Sequence, residues 1–142
     1  MSRSGYSEDY GCDNHWEMIM WRGAVASAIR GKRGQAFLKE MLAALDGIES
    51  RRLIAHELVH EGDACAMGAV GLARGVDMSR LDPENIEGVA GTFGISDALA
   101  KEIAFENDQD FSYGTEETPE ARYARMRKWV ESHIKLSAAD KI

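Results

Sequence analysis

The sequence predicts an all-α fold: a compact single-domain bundle of six or seven helices around a Gly/Ala-rich central helix, with a helix-turn-helix-like pair in its second half. Three observations predict it. Apolar residues recur at three- and four-residue spacing through most of the chain, the period of a helix with one buried side. Ser, Thr, Asp or Asn precedes several of these runs and Gly follows them, as helix caps do. No stretch alternates with period two, and β-branched residues are few. With 142 residues, 44% of them hydrophobic, the chain can bury one core.

Residues 1–13 are polar and read as an irregular arm, 14–136 as the domain, and 137–142 as a fraying tail. Asn14 and Glu17 form a capping-box arrangement that starts a first helix with Met18, Trp21, Val25, Ala28 and Ile29 inward. Gly31 or Gly34 ends it, which puts Lys32 and Arg33 in its last-turn region, where cations suit the helix dipole. A second helix spans about 35–46, with Leu38, Met41, Leu42 and Leu45 as its stripe and Gly47 as its stop. Ser50 can cap a third, with Leu53, Ile54, Ala55, Leu58 and Val59 apolar and Gly62 as terminator.

Residues 65–74 mix Gly68 and Gly71 with Ala, Met67, Val70 and Leu72. Interior Gly costs a helix about 1 kcal/mol against Ala, so this reads as a buried helix approached closely by another backbone. The segment lacks a Gly-Lys-Ser/Thr ending and a preceding strand, which argues against a phosphate loop. Asp82-Pro83-Glu84 reads as a helix start, with Ile86, Val89, Ala90 and Phe93 following. Gly94 breaks that helix and Ser96 caps the next, which carries Leu99, Ala100 and Ile103. An acidic loop spans 107–117, and Thr118-Pro119-Glu120 opens the last helix, with Tyr123, Met126, Val130 and Ile134 inward.

One stretch carries a catalytic pattern. In His56-Glu57-Leu58-Val59-His60, two His four apart on a helix would bind zinc and Glu57 would act as general base on a zinc-bound water. A third ligand would come from Glu102 or Glu106, since Asp63 and Ala66 stand where the extended motif wants Gly and His. Cys12 and His15 form a Cys-x-x-His half-site that could instead close a structural zinc site with His56 and His60. The bland reading, two exposed His on an amphipathic helix, needs no metal and is preferred: no catalytic residue, metal ligand or cofactor is assigned.

Ala90, Gly94, Ile95 and Ser96 match the turn signature of a helix-turn-helix. The following helix offers Asp97, Glu102 and Glu106 with Lys101 its one cation, which repels phosphates and disfavours nucleic acid as partner. Charge is segregated more broadly. From 82 to 120 there are eleven acidic residues against Lys101 alone, in a chain of net charge −7. Basic clusters stand at Arg30, Lys32, Arg33 and at Arg122, Arg125, Arg127, Lys128. The acidic region is the candidate protein-binding surface: Glu102, Glu106, Asp108, Asp110, Glu116 and Glu117, with Phe111 and Tyr113 as aromatic anchors for a basic partner. A sparse Cys12/Cys65 pair reads as reduced thiols in a cytoplasm. No signal peptide opens the chain and no apolar run reaches bilayer length, so no membrane is expected.

The segments 21–35 (Trp-Arg-Gly-Ala-Val-Ala-Ser-Ala-Ile-Arg-Gly-Lys-Arg-Gly-Gln), 65–71 (Cys-Ala-Met-Gly-Ala-Val-Gly) and 105–108 (Phe-Glu-Asn-Asp) resemble a family of small uncharacterised phage and prophage proteins. The resemblance extends over nearly the whole chain and brings no known activity. It implies a setting: a phage accessory protein in the cytoplasm of a bacterial host, acting on a host or phage protein, including inhibition of host defence machinery. The sequence therefore reads first as a protein-binding protein, with a zinc-dependent hydrolase and a helix-turn-helix DNA binder as alternatives. Gly-lined helix packing is also compatible with a homodimer.

Overall fold

The structure, a computed structural model, describes Arg3, residues 15–109 (15–18 as backbone only) and 117–135. Six α-helices and one two-stranded hairpin make up the described residues: α1 His15–Arg30, α2 Lys32–Asp46, β1 Val59–His60, β2 Asp63–Ala64, α3 Ala66–Arg74, α4 Ile86–Phe93, α5 Asp97–Asp108 and α6 Pro119–Ser132. A 3-10 turn at Met78–Arg80 joins α3 to α4. The all-α class holds, and the Gly/Ala-rich segment is a buried helix, with every residue from 66 to 71 inside. Met41, Leu38 and Leu45 of α2 are fully buried against α3 and α6.

α5 is the second hub, since it packs on α1, α3, α4 and α6. The α4–α5 pair has the expected turn. Gly94 sits at φ +73 as a left-handed C-cap, the Ile95 N–H donates to the Ala90 carbonyl, and Ser96 caps α5 through Leu99 N. Thr118 caps α6 the same way, with Pro119 in the first turn.

Three expectations are overturned. The segment 50–62 is not a helix. Residues 51–58 run without regular structure into a hairpin whose register pairs Val59 with Ala64 and His60 with Asp63. Its two turn residues, Glu61 (φ +51) and Gly62 (φ +86), are both left-handed, the turn whose twist suits a tight hairpin. Lys32 and Arg33 open α2 rather than close α1, because Gly31 alone separates the two helices. Asp82 does not cap α4. It accepts from Glu84 N in a local turn, and Asn85 caps the helix three residues later by accepting from Gly88 N.

Two close approaches fix the layout. A side chain at Gly34 would run into the Ala28 carbonyl oxygen, which holds α2 tight against the end of α1. One at Gly68 would run into the Leu58 carbonyl oxygen, with the Leu58 carbonyl carbon 2.8 Å and the Ala64 Cβ 3.2 Å away. α3 thus lies directly on the hairpin and the loop before it.

Candidate functional site

The predicted catalytic pattern is dismantled by this geometry. His60 lies in β1 and His56 in the preceding loop, so they do not share a helix side as the pattern requires. His60 Nδ1 stands 3.4 Å from Glu57 and its Nε2 3.8 Å from Glu61, while His56 Nδ1 is 3.6 Å from Asp108. Among the described residues no group of three His, Cys, Asp or Glu is placed to hold a metal ion. Cys12 lies outside the described residues, as does the side chain of His15. The helix-turn-helix reading meets a different obstacle. α5, the helix that would enter a groove, is covered by α1, α3, α4 and α6 and has Leu99, Ala100, Glu102, Ile103, Ala104 and Asn107 buried.

The acidic region also resolves differently from expectation. Asp110, Phe111, Tyr113 and Glu116 lie outside the described residues. Of the other four, Glu102, Asp108 and Glu117 have buried side chains, so they are not surface acids. Glu117 lies between Arg122 (3.5 Å) and Arg125 (2.8 Å), so these two members of the second basic cluster turn inward; Arg127 pairs with Asp46 at 2.7 Å at the surface, and Lys128 is exposed.

Asp108 belongs to a buried polar junction. It accepts from the guanidinium of Arg3 (2.7 and 2.8 Å), from His56 N (3.0 Å) and from the Asn107 amide (3.0 Å). Asn107, with no exposed surface, accepts from Ala66 N at 3.0 Å and donates to the Ile54 carbonyl at 2.9 Å. Its own carbonyl accepts from Arg122. Arg3 also reaches the thiol of Cys65, which caps α3 by accepting from Gly68 N. The segments around 3, 54, 65, 107 and 122 therefore meet at one point.

Two carboxylates here differ in charge preference. Burial would raise the pKa of Asp108, but the Arg3 hydrogen bond and charge, with the His56 and Asn107 donors, outweigh it and hold it below the usual carboxylate range. Burial and the neighbouring Glu102 push Glu106 above that range, against the charges of Arg125, His133 and Arg22. The stability effects have opposite signs. Asp108 contributes stability above its unfolded value, and that contribution is lost as pH falls through the folded value. Glu106 binds a proton more readily in the folded chain, so its contribution falls as pH rises through the carboxylate range. Glu106→Gln is expected to raise the melting temperature at neutral pH, with the gain vanishing in acid. A gain independent of pH would show that the benefit lies elsewhere.

A surface feature with the form of a binding site lies on the other side of α3. A cleft of about 630 Å³ opens between the end of α2, the 47–52 connection, the hairpin and α3, with a floor that includes Ala43, Ala44, Ala69 and Ala73. A second, of about 470 Å³, lies between the hairpin, the 3-10 turn and Pro83. Leu72 lines both and is 52% exposed, although residues 66–71 of the same helix are buried. The walls are acidic: Glu49, Glu61 and Asp63 with Arg52 in the first cleft, Glu57 and Asp77 in the second. Arg52 is 3.3 Å from Asp63, so that cation is already partnered. The C-terminal end of α2 points its dipole's negative end toward Gly47 at the cleft.

In the sequence Leu72 belongs to a segment that reads as a buried helix, and no spacing links it to Glu49 or Asp77. Leu72 is exposed because it lies in the last turn of α3, where residues 72–74 all stand clear of the neighbours that bury residues 66–71, a tertiary fact without local signature. Comparison with known protein families, curated proteins and solved structures finds no match.

Proposed function

We propose that this chain is a protein-binding protein that takes a basic, partly apolar segment of a partner protein into the double cleft around Leu72. The observation that carries the reading is Leu72 itself: a large apolar side chain half-exposed in the last turn of a helix whose residues 66–71 are buried, lining two acid-walled clefts. Burying an exposed Leu contributes about 1.5–3 kcal/mol, enough to anchor a segment whose cations are steered by Glu49, Glu57, Glu61 and Asp77. The expected partner remains basic, but the contact surface moves from 102–120 to the α3 face. The phage resemblance supplies the setting: an accessory protein in a bacterial host, covering a surface that a host or defence protein uses for another ligand. No helix among the described residues is long and apolar enough to cross a membrane.

The test is site-specific photo-crosslinking in bacterial extract from Ala73, which lines the first cleft, and from Glu131, exposed on α6. Capture of a defined basic protein from position 73 only, lost in Leu72→Glu and weakened by salt, is the expected result. Equal capture from both positions, or capture indifferent to Leu72→Glu, would overturn the reading.

A further inference from the structure

Two acids of the cleft walls share one neighbour. Glu61 lines the first cleft and Glu57 the second. The ring of His60, in β1, stands between them, with Nδ1 3.4 Å from Glu57 and Nε2 3.8 Å from Glu61. A neutral imidazole has one N–H and can donate toward one of the two carboxylates; both ring nitrogens are donors only in the cation. All three side chains are at least half-exposed, so the ring can exchange protons with water where it stands. The other charges that face the hairpin have partners or places of their own. Asp63, opposite His60 in the ladder, pairs with Arg52 at 3.3 Å. His56 lies beside Asp108. Arg74, the one charged residue of α3, is held by Glu40 at 2.6 Å. Glu49 and Asp77 line the clefts, and the Ser79 hydroxyl and N–H hold Asp77 below the usual carboxylate range. Carboxylates ordinarily titrate at about pH 4 and imidazole at about pH 6.5, so in mild acid the change of charge falls on the ring rather than on the acids.

We propose that His60 regulates the cleft by pH. Neutral, it leaves Glu57 and Glu61 to an incoming basic segment; protonated, it engages both acids at once and repels the segment's cations. This rests on the cleft being a binding site for a basic segment and adds its regulation. A cationic ligand disfavours the charged ring, so ligand and proton expel one another. Binding is strong at neutral pH and weakened as pH falls through the imidazole range. Exposed ion pairs are weak one by one, so the expected change is roughly fivefold rather than a complete loss.

The test repeats the crosslinking from position 73 in one extract at about pH 7.5 and about pH 5.5, either side of the imidazole range. It compares the native chain with His60→Gln and His60→Lys. Native capture should fall roughly fivefold in acid. His60→Gln, uncharged at both pH values, should hold its capture, and His60→Lys, charged at both, should capture weakly throughout. The extract is the same, so a difference between variants belongs to residue 60. In the free chain, an NMR titration of the His60 ring should shift toward lower pH in Glu57→Gln and again in Glu61→Gln. Native capture that does not fall, an equal fall in His60→Gln, or a ring titration moved by neither acid would overturn the regulation and leave the cleft reading standing. No capture from position 73 at the higher pH would remove the cleft reading and the regulation with it.

Discussion

Asn107→Leu is expected to lower the stability of the folded chain by about 3–5 kcal/mol, the range for breaking a buried hydrogen-bond network. The substitution keeps the volume and removes both an acceptor and a donor. Ala66 N and the Ile54 carbonyl would then be left without partners in an interior where Asn107 has no exposed surface. Each orphaned group costs about 1–3 kcal/mol, and Asp108 loses a donor as well. For a chain of this size the melting temperature should fall by about 10 °C. Asn107→Asp should be no milder, since a carboxylate cannot donate to Ile54 and would place a second negative charge beside Asp108. Thermal and urea unfolding measure both. A loss below about 1 kcal/mol for Asn107→Leu would show that α3 and the 54–56 loop do not depend on this side chain.

Gly68→Ala should reverse the ordinary sign of its class. Inside a helix the exchange normally stabilises by about 1 kcal/mol. Here the added carbon would meet the backbone of Leu58, and neither the helix nor the hairpin can yield without moving the other. A cost of about 3 kcal/mol or more is expected, the upper end of overpacking effects. Gly75→Ala, at a left-handed C-cap with open space around it, is the control: it isolates backbone strain from collision. If Gly68→Ala melts no lower than Gly75→Ala, the close approach is not holding α3 on the hairpin.

The parts of the fold legible in the sequence are those written in local chemistry. Ser96 and Thr118 cap the helices that their positions predict, and Gly94 turns between α4 and α5 as its four-residue spacing from Ala90 implies. The apolar stripe of α2 is the buried one. The segment 50–62 misleads for a definable reason. Leu53, Ile54, Leu58 and Val59 are spaced as a helix would space them, but Leu53 and Leu58 are buried from an irregular loop. That loop and the turn place Arg51, His56 and Glu61 in left-handed conformations, which Asn, Asp and Gly adopt more readily. The tight hairpin turn holds Glu61 there, and the bond from the His56 N–H to Asp108 holds that residue. Asp82 misled because its acid-Pro-acid run suits a turn as well as a helix start. The clefts were not legible at all, because their walls come from 43–83 only after α3 has set the hairpin beside α2.

The loop at 51–58 has no regular secondary structure, yet Leu53 N donates to the Pro119 carbonyl, Ile54 N to the Ala64 carbonyl, and His56 N to Asp108. Each amide is held by a different element. A segment joined in this way has no private unfolding route: releasing it means breaking its bonds to α6, to the hairpin and to α5 together. It therefore belongs to the same cooperative unit as the helices, and its irregular backbone is as much a part of the core's opening equilibrium as α3.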